Sequence, residues 1–268
     1  MSPLRPAPWR LIYRVPLFLL HLLVLTPVTV LAQTPPGQRW RLGSRSVAEH
    51  LLRAWSHGLC RLFAVRPVVR GALPQVPHLV VANHLSWLDI QLMHSVGAMS
   101  FVAKAEIARW PMMGFLAKAG GTVFHQRGSH DSASDVLQLM RDRLAAGRHV
   151  AIFPEGGIRP GPGVKRFHAR LFRAAVDSGC PVQPVMLRYL DRGALDHDIT
   201  FRPGENLVMN MLRLLASPTV DGEVRLLAPI AARGQGRDVL ARAAHQAIEQ
   251  AYWEGQDTGF RSERGNDC

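Results

Sequence analysis

The sequence predicts an α/β fold in which a layered sheet is flanked by helices, with an N-terminal hydrophobic and amphipathic two-helix membrane anchor ahead of it. Three observations predict it. From Pro77 onward, short apolar runs alternate with helix-length segments, the pattern of a sheet covered on its faces by helices. Upstream, between Arg14 and Gln33, lies one uncharged run, VPLFLLHLLVLTPVTVLA. The chain has 268 residues, 47% of them hydrophobic, enough for one substantial domain with a short appendage.

The uncharged run would be about 27 Å long as a helix, just short of a hydrocarbon core of roughly 30 Å. A full span and a half-inserted anchor both fit that length. Pro16, Pro27 and His21 make a straight, lipid-exposed span uncomfortable, because proline removes a backbone donor and a buried imidazole needs a partner. A cleaved signal peptide is the competing reading: Arg5, Arg10 and Arg14 form a positive flank, and Val30-Leu31-Ala32 resembles a cleavage site. Three widely spaced cysteines, Cys60, Cys180 and Cys268, form no disulfide framework and point to a reducing compartment, which favours an uncleaved anchor.

After a turn at Pro35, Pro36 and Gly37, residues 46–63 place Val47, Leu51, Trp55, Leu59 and Leu62 at helical spacing, opposite Glu49, Arg53 and Arg61. That helix packs on a core, lies at a membrane interface, or does both. Residues 1–64 are therefore taken as the membrane-anchoring segment, 65–255 as the main domain, and the polar residues 256–268 as a disordered tail.

Within the main domain, HLVVANH, SFVAK, GTVFHQ, HVAIFPEG and PVQPVMLRYL read as strands. Residues 132–146 read as a helix with Val136, Leu137, Met140 and Leu144 inward and Gly147 as its stop. A second helix is expected over 238–253, with Val239, Ala243, Ala247 and Ala251 as its stripe.

The formal charge of +12 predicts attraction to polyanions such as an anionic leaflet or phosphorylated substrates. The basic residues are scattered and carry no zinc-finger spacing or aromatic RNA-binding signature, which argues against nucleic acid. No His-Glu-x-x-His pattern or cysteine cluster suggests a metal.

Four constellations carry chemistry. Asn83-His84-Leu85-Ser86-Trp87-Leu88-Asp89 directly follows an apolar strand, where the carboxyl edge of a sheet presents side chains to a cleft. Histidine suits general-base work near neutral pH, and a carboxylate on its other nitrogen fixes the tautomer. Gly121-Thr122-Val123-Phe124-His125-Gln126-Arg127 is a strand ending on a cation. Phe153-Pro154-Glu155-Gly156-Gly157, followed by Arg159 and Lys165, is a strand opening into a glycine-rich loop. Cys180-Pro181-Val182-Gln183-Pro184-Val185 is a proline-marked strand.

Together, in this order and at these spacings, the four motifs resemble the lysophospholipid acyltransferase family over about residues 78–190. The resemblance implies an acyltransferase that moves a fatty acyl group from a thioester, acyl-CoA or acyl-carrier protein, to a lysolipid hydroxyl, with 1-acyl-glycerol-3-phosphate as the first expected acceptor. By the same resemblance His84 is the base, Asp89 orients it, and Arg127, Glu155 and Gly156 hold the anionic headgroup, with Arg159 and Lys165 as further candidates. No cofactor is implied beyond the thioester co-substrate. Two positions depart from the commoner family pattern: Gln126 stands where an acidic residue is usual, and Gly157 where threonine is usual. The stretch GIRPGPGVKRFHARLF resembles the longer loop of members that acylate lyso-ornithine lipid, the alternative acceptor. An alternative of another class is a noncatalytic membrane-surface lipid-binding protein that keeps the fold. The implied setting is the bacterial inner membrane with the catalytic domain on the cytoplasmic face, where thioester donors are made.

Overall fold

The structure is a computed structural model that describes residues 6–104, 122–125, 130–158, 161 and 163–256. Arg127, Arg159 and the tail 257–268 lie outside the described residues. The first element, α1 (Trp9–Ala32), is 24 residues long, longer than the uncharged run because the helix starts at Trp9 and takes in Arg10 and Arg14. It is long and apolar enough to cross a membrane by length and composition, and only 22% of its apolar window is buried. Pro16 is accommodated within the helix, and the backbone widens into a π-turn at His21–Leu25. Such a turn absorbs a residue that does not fit the ordinary ladder.

Arg14 was expected as a flanking charge and is instead buried. Its guanidinium donates to the carbonyls of Leu215 (3.0 Å) and Ser217 (2.7 Å), strapping α1 to the far end of the sequence. The amphipathic helix α2 (Val47–Leu62) begins at Ser46, whose hydroxyl accepts the Glu49 backbone N–H at 3.1 Å and so satisfies one of the first-turn donors. Trp55 and Leu59 are buried as the periodicity requires, and Trp55 Nε1 donates to Thr26 Oγ1 of α1 at 3.0 Å.

The main sheet has eight strands. Seven form a continuous path: β1 (Val65–Arg70), β2 (Leu79–Ala82), β3 (Ser100–Lys104), β4 (Val123–His125), β5 (Val150–Ile152), β6 (Val182–Asp191) and β7 (Val220–Leu226). Their spatial order is β1-β7-β6-β2-β5-β3-β4, and a two-residue strand at Ala194–Leu195 pairs off β6. Strands β6, β2, β5, β3 and β4 run parallel, while β7 is antiparallel to β6 and carries β1 parallel to itself. All five strands expected from the sequence are present. The parallel block is fully covered: Leu79, Val80, Val81, Ala82 and Val150, Ala151, Ile152 are all buried, as parallel sheets demand.

Helices α3 (Asp89–His94), α4 (His130–Ala145), α5 (Arg173–Ser178), α6 (Leu207–Ala216) and α7 (Arg237–Trp253) complete the main domain among the described residues. Helix α4 buries Val136, Met140 and Leu144, and Gly147 follows with φ of 77°, the left-handed stop that glycine permits. In α7 the buried stripe is Leu240, Ala244, Ile248 and Tyr252, one residue on from the expected Val239, Ala243 and Ala247, while Ala251 is buried as expected. Leu240 and Ile248 offer more apolar surface than Val239 and Ala247, and Val239 is left 44% exposed.

Candidate functional site

Strand β2 sits between β5 and β6, so the chain leaving its carboxyl end emerges in the middle of the parallel block, where such sheets present side chains to ligands. Asn83, the first residue beyond the strand, is fully buried and reads the neighbouring strand as a backbone would. Its Nδ2 donates to the Leu187 carbonyl and its Oδ1 accepts the Leu187 N–H, both at 2.8 Å. That double bond to β6 fixes the direction in which the next residue, His84, projects.

His84 and Asp89 meet as the motif implies. His84 Nδ1 lies 2.9 Å from Asp89 Oδ2, with the imidazole 14% exposed and the carboxylate fully buried. The same oxygen accepts the backbone N–H groups of Leu85 (2.6 Å) and Ser86 (2.9 Å). Asp89 is the first residue of α3, so its carboxylate closes the turn that carries the histidine and also faces the positive end of the helix. With Nδ1 donating to an acceptor-only carboxylate, Nε2 is the ring nitrogen left to take a proton from a ligand. Phe153, the first residue after β5, stacks on the imidazole at 4.0 Å between centroids and 13° between planes. Phe101 stacks behind it at 5.7 Å. The ring is thus held on one edge by Asp89 and on one face by an aromatic pair.

The structure adds a residue that no sequence pattern identified. Tyr189 of β6 is fully buried and donates its hydroxyl to Asp89 Oδ1 at 2.6 Å. Ser86, also fully buried, forms a side-chain hydrogen bond with the same phenol. Burial, then the neighbouring Asp89 charge, pushes the Tyr189 phenol well above its ordinary range, so it serves as a neutral donor. Cys60 of α2 lies against this network, and burial pushes its thiol up as well. In sequence Tyr189 is one aromatic in an apolar strand a hundred residues from Asp89.

Glu155 is 3% exposed and its carboxyl group faces the backbone N–H groups of Lys165 and His84, tying the glycine-rich loop to the histidine turn. Desolvation dominates and pushes this carboxyl up to about 8, against the opposing effect of those two amides. Gly156 follows with φ of 78°, a conformation that turns the chain sharply away from β5. The His168 N–H donates to the Pro154 carbonyl at 2.9 Å and closes the loop, which carries Lys165 close enough for its charge to act on Glu155. The structure therefore brings His84, Asp89, Glu155, Gly156 and Lys165 together at one edge of the sheet. Among the described residues no cluster of three or more metal-ligating side chains occurs.

The crevice is walled on another side by the segment after β6. Thr200 Oγ1 donates to the Leu85 carbonyl, and Trp87 Nε1 donates to Asn210 Oδ1 of α6 at 2.9 Å. Helix α6 was not anticipated from the sequence, although Asn210 and Arg213, three residues apart in LVMNMLRLLA, mark one polar side of a helix.

Comparison with known proteins points to one family. A family model described as Acyltransferase matches residues 66–188, from β1 through most of β6. The lyso-ornithine lipid O-acyltransferase of Pseudomonas aeruginosa is 38% identical over 203 residues, covering 76% of this chain and 78% of that protein. The 1-acyl-sn-glycerol-3-phosphate acyltransferase of Neisseria gonorrhoeae is 42% identical over 120 residues, 44% of this chain and 47% of that one. Among solved structures, the 1-acyl-sn-glycerophosphate acyltransferase PlsC from Thermotoga maritima superposes with a TM-score of 0.67 at 19% identity, over 92% of this chain and 94% of that one, a likeness of fold.

Proposed function

The chain belongs to the acyltransferase family, and from that premise we propose that it acylates the hydroxyl of a lysolipid with His84 as the general base. The observation that carries the reading is the His84–Asp89 pair, oriented at the carboxyl end of the central strand with one imidazole nitrogen committed to a buried carboxylate. His84 Nε2 takes the proton of the acceptor hydroxyl as its oxygen attacks the thioester carbonyl. The carbonyl–sulfur bond breaks, the new ester forms, and the imidazolium returns the proton to the departing thiolate. Asp89 holds the tautomer and stabilises the imidazolium in between. An oriented base of this kind also favours an enzyme over a noncatalytic lipid-binding protein.

Arg127, two residues beyond His125 in sequence, and Lys165 of the glycine-rich loop are the proposed cations for the acceptor's anionic group, with Arg159 also in that loop's sequence. Glu155, being buried, supports the headgroup site by holding the His84 and Lys165 backbones. Lyso-ornithine lipid is the acceptor we favour, because the relative that carries that name aligns over most of both chains. Lysophosphatidate is the second reading, supported by the higher identity of a shorter segment. Acyl-CoA and acyl-carrier protein both supply the required thioester. The protein acts at a membrane through α1, and we place its catalytic domain on the cytoplasmic face of the inner membrane, where thioesters are made. Arginines flank both ends of the apolar run, Arg5, Arg10 and Arg14 before it and Arg39, Arg41 and Arg45 after it, which suits an anchor with both ends on one side.

The test is release of free thiol from acyl-CoA by the purified protein, with lyso-ornithine lipid or lysophosphatidate added separately. Thiol release that depends on one lysolipid names the acceptor. Lipid binding without release for either would sink the catalytic reading.

A further inference from the structure

Helix α6 buries Leu214 and Leu215 in the core and keeps a second apolar set outside. Its inward face carries Asn210, fully buried, which accepts from Trp87 Nε1 and donates to Glu205 Oε2 at 3.0 Å. Arg213 also turns inward, 9% exposed, and is neutralised by Glu205 at 2.7 Å. Its outward face carries Val208, Met209 and Leu212 at 63%, 53% and 49% exposure, with no charge among them. Scattered apolar residues on a surface need no explanation, but an exposed apolar set on a helix whose Asn210 and Arg213 both turn inward does.

The carboxyl end of α6 meets the amino-terminal turns of α1. The backbone N–H of Ala7 and the guanidinium of Arg10 donate to the Ala216 carbonyl at 2.8 and 3.0 Å, and Arg14 takes the carbonyls of Leu215 and Ser217. These bonds satisfy the carbonyls that end α6 and place positive charge at its negative pole. They also lock the amino-terminal turns of α1, where Trp9, Ile12 and Tyr13 are exposed, against the end of α6. Exposed Arg202, paired with Asp198 at 3.3 Å, lies just before α6 in sequence, and the chain as a whole carries a formal charge of +12. An exposed apolar face on a strongly basic chain matches an anionic bilayer surface, whose acyl region takes the side chains and whose headgroups attract the protein.

We propose that α6 is a third membrane-contacting element, inserting Val208, Met209 and Leu212 into the headgroup–acyl boundary beside α1. Because Asn210 holds Trp87, two residues before Asp89, and Thr200 holds the Leu85 carbonyl, this element fixes the depth of the catalytic turn relative to the bilayer. A lysolipid hydroxyl stays near that boundary, so α6 sets His84 at the height of its substrate. The proposal rests on the membrane-associated reading of α1.

The experiment uses the full chain and vesicles of mixed phosphatidylethanolamine and phosphatidylglycerol carrying a small fraction of phospholipid with a photoreactive acyl chain. Cross-links are expected on Met209 or Leu212 as well as on α1. Labelling of α1 without α6 overturns the inference alone, and labelling of neither removes the membrane reading beneath it. In parallel, a variant with Val208→Ser, Met209→Ser and Leu212→Ser should partition onto vesicles about tenfold more weakly, since each apolar side chain contributes a fraction of its transfer free energy. Turnover of long-chain lysolipid in vesicles should fall with it, while turnover of a short-chain, monomeric lysolipid is unchanged. The comparably exposed Val69→Ser and Val239→Ser pair should leave partitioning as it was. Equal losses on monomeric and vesicular substrate, unchanged partitioning, or a concentration-dependent dimer that the triple variant abolishes would each overturn the proposal. If the variant does not fold, the cross-linking of the wild-type chain decides.

Discussion

Replacing Tyr189 with phenylalanine removes one oxygen atom from a buried network and should be read in the pH profile. The phenol donates to Asp89 Oδ1 at 2.6 Å, and neither side chain is exposed, so no water replaces the lost donor at no cost. A hydrogen bond to a charged group contributes about 1.5–3 kcal/mol. Part of that acts whether His84 is neutral or protonated and cancels. The remainder favours the state in which the carboxylate faces a neutral ring, because a protonated ring already offsets the charge. Without the phenol, Asp89 therefore holds the imidazolium more tightly, and the base is blocked up to a higher pH. With about half of the bond's free energy differential, the acid limb of kcat/KM moves upward by roughly half to one pH unit. The other groups facing this network among the described residues are Cys60 and Glu155. Burial pushes both up, Glu155 to about 8, so neither adds charge on the acidic side of neutrality. The KM values for both substrates should stay constant, since Tyr189 is sealed from the crevice, while the plateau rate falls about three- to tenfold as the carboxylate loses its fixed orientation. The assay is thiol release from acyl-CoA across mildly acidic to mildly alkaline pH, with circular dichroism to check folding. A folded variant whose acid limb overlays that of the wild type would refute the reasoning, because a merely structural tyrosine changes melting temperature and leaves proton affinity alone.

The remaining predictions test other parts of the site. Asp89→Asn should lower kcat by about 10³–10⁴, because the amide can still accept from His84 but supplies no charge for the imidazolium; equal steady-state rates would remove Asp89 from the mechanism. Glu155→Gln should flatten the pH dependence of stability. In the wild type the raised carboxyl stabilises the fold fully below the ordinary glutamate range and loses that contribution as pH rises through about 8, so melts at acidic and alkaline pH should differ less in the variant. Arg14→Leu removes the two buried charge-assisted bonds to α6 and should lower Tm in detergent by about 5 °C or more; an unchanged melt would mean that apolar contacts alone dock α1. Arg127→Lys should raise KM for the lysolipid with kcat little changed, because lysine loses the bidentate grip on an anion; an unchanged KM would send the search to Lys165 and Arg159.

What was legible in the sequence was local. His84 and Asp89 lie within one turn, and the strand before them is a run of four buried apolar residues, so both the pair and its place on the sheet could be read from consecutive positions. Tyr189 could not, because its partner is brought beside it only by the pairing of β2 with β6. The outer strands were hidden for a different reason. In β7 the sequence VDGEVRL breaks alternation twice. Gly222 stands where a Cβ would come within 2.6 Å of Val65 Cγ1, and Glu223 is buried because Arg188 pairs with it at 2.6 Å. A glycine and an acid inside a strand read as a loop until the close approach of Val65 and Leu92 to Gly222 and the partnered arginine are known.

The anchor is not appended to the catalytic domain; it shares its core. Phe18 of α1 meets Phe63 edge-on at 5.1 Å, Phe63 meets Trp87 at 4.9 Å, and Trp87 bonds to Asn210, so an aromatic path runs from the apolar helix to the catalytic turn and on to α6. Ser56 of α2 donates to Gln91 of α3 at 3.2 Å, which ties the amphipathic helix to the helix that Asp89 begins. Removing α1 by cleavage after Ala32 would take away Phe18, the hydroxyl of Thr26 that accepts from Trp55, and the strap of Arg14. Each loss would leave a buried donor, acceptor or apolar face in water, so the interior gives a physical reason for the helix to stay. It also follows that lipid contact and catalysis are mechanically joined. A displacement of α1 or α6 is transmitted through Trp87 to the segment whose geometry sets the His84–Asp89 bond.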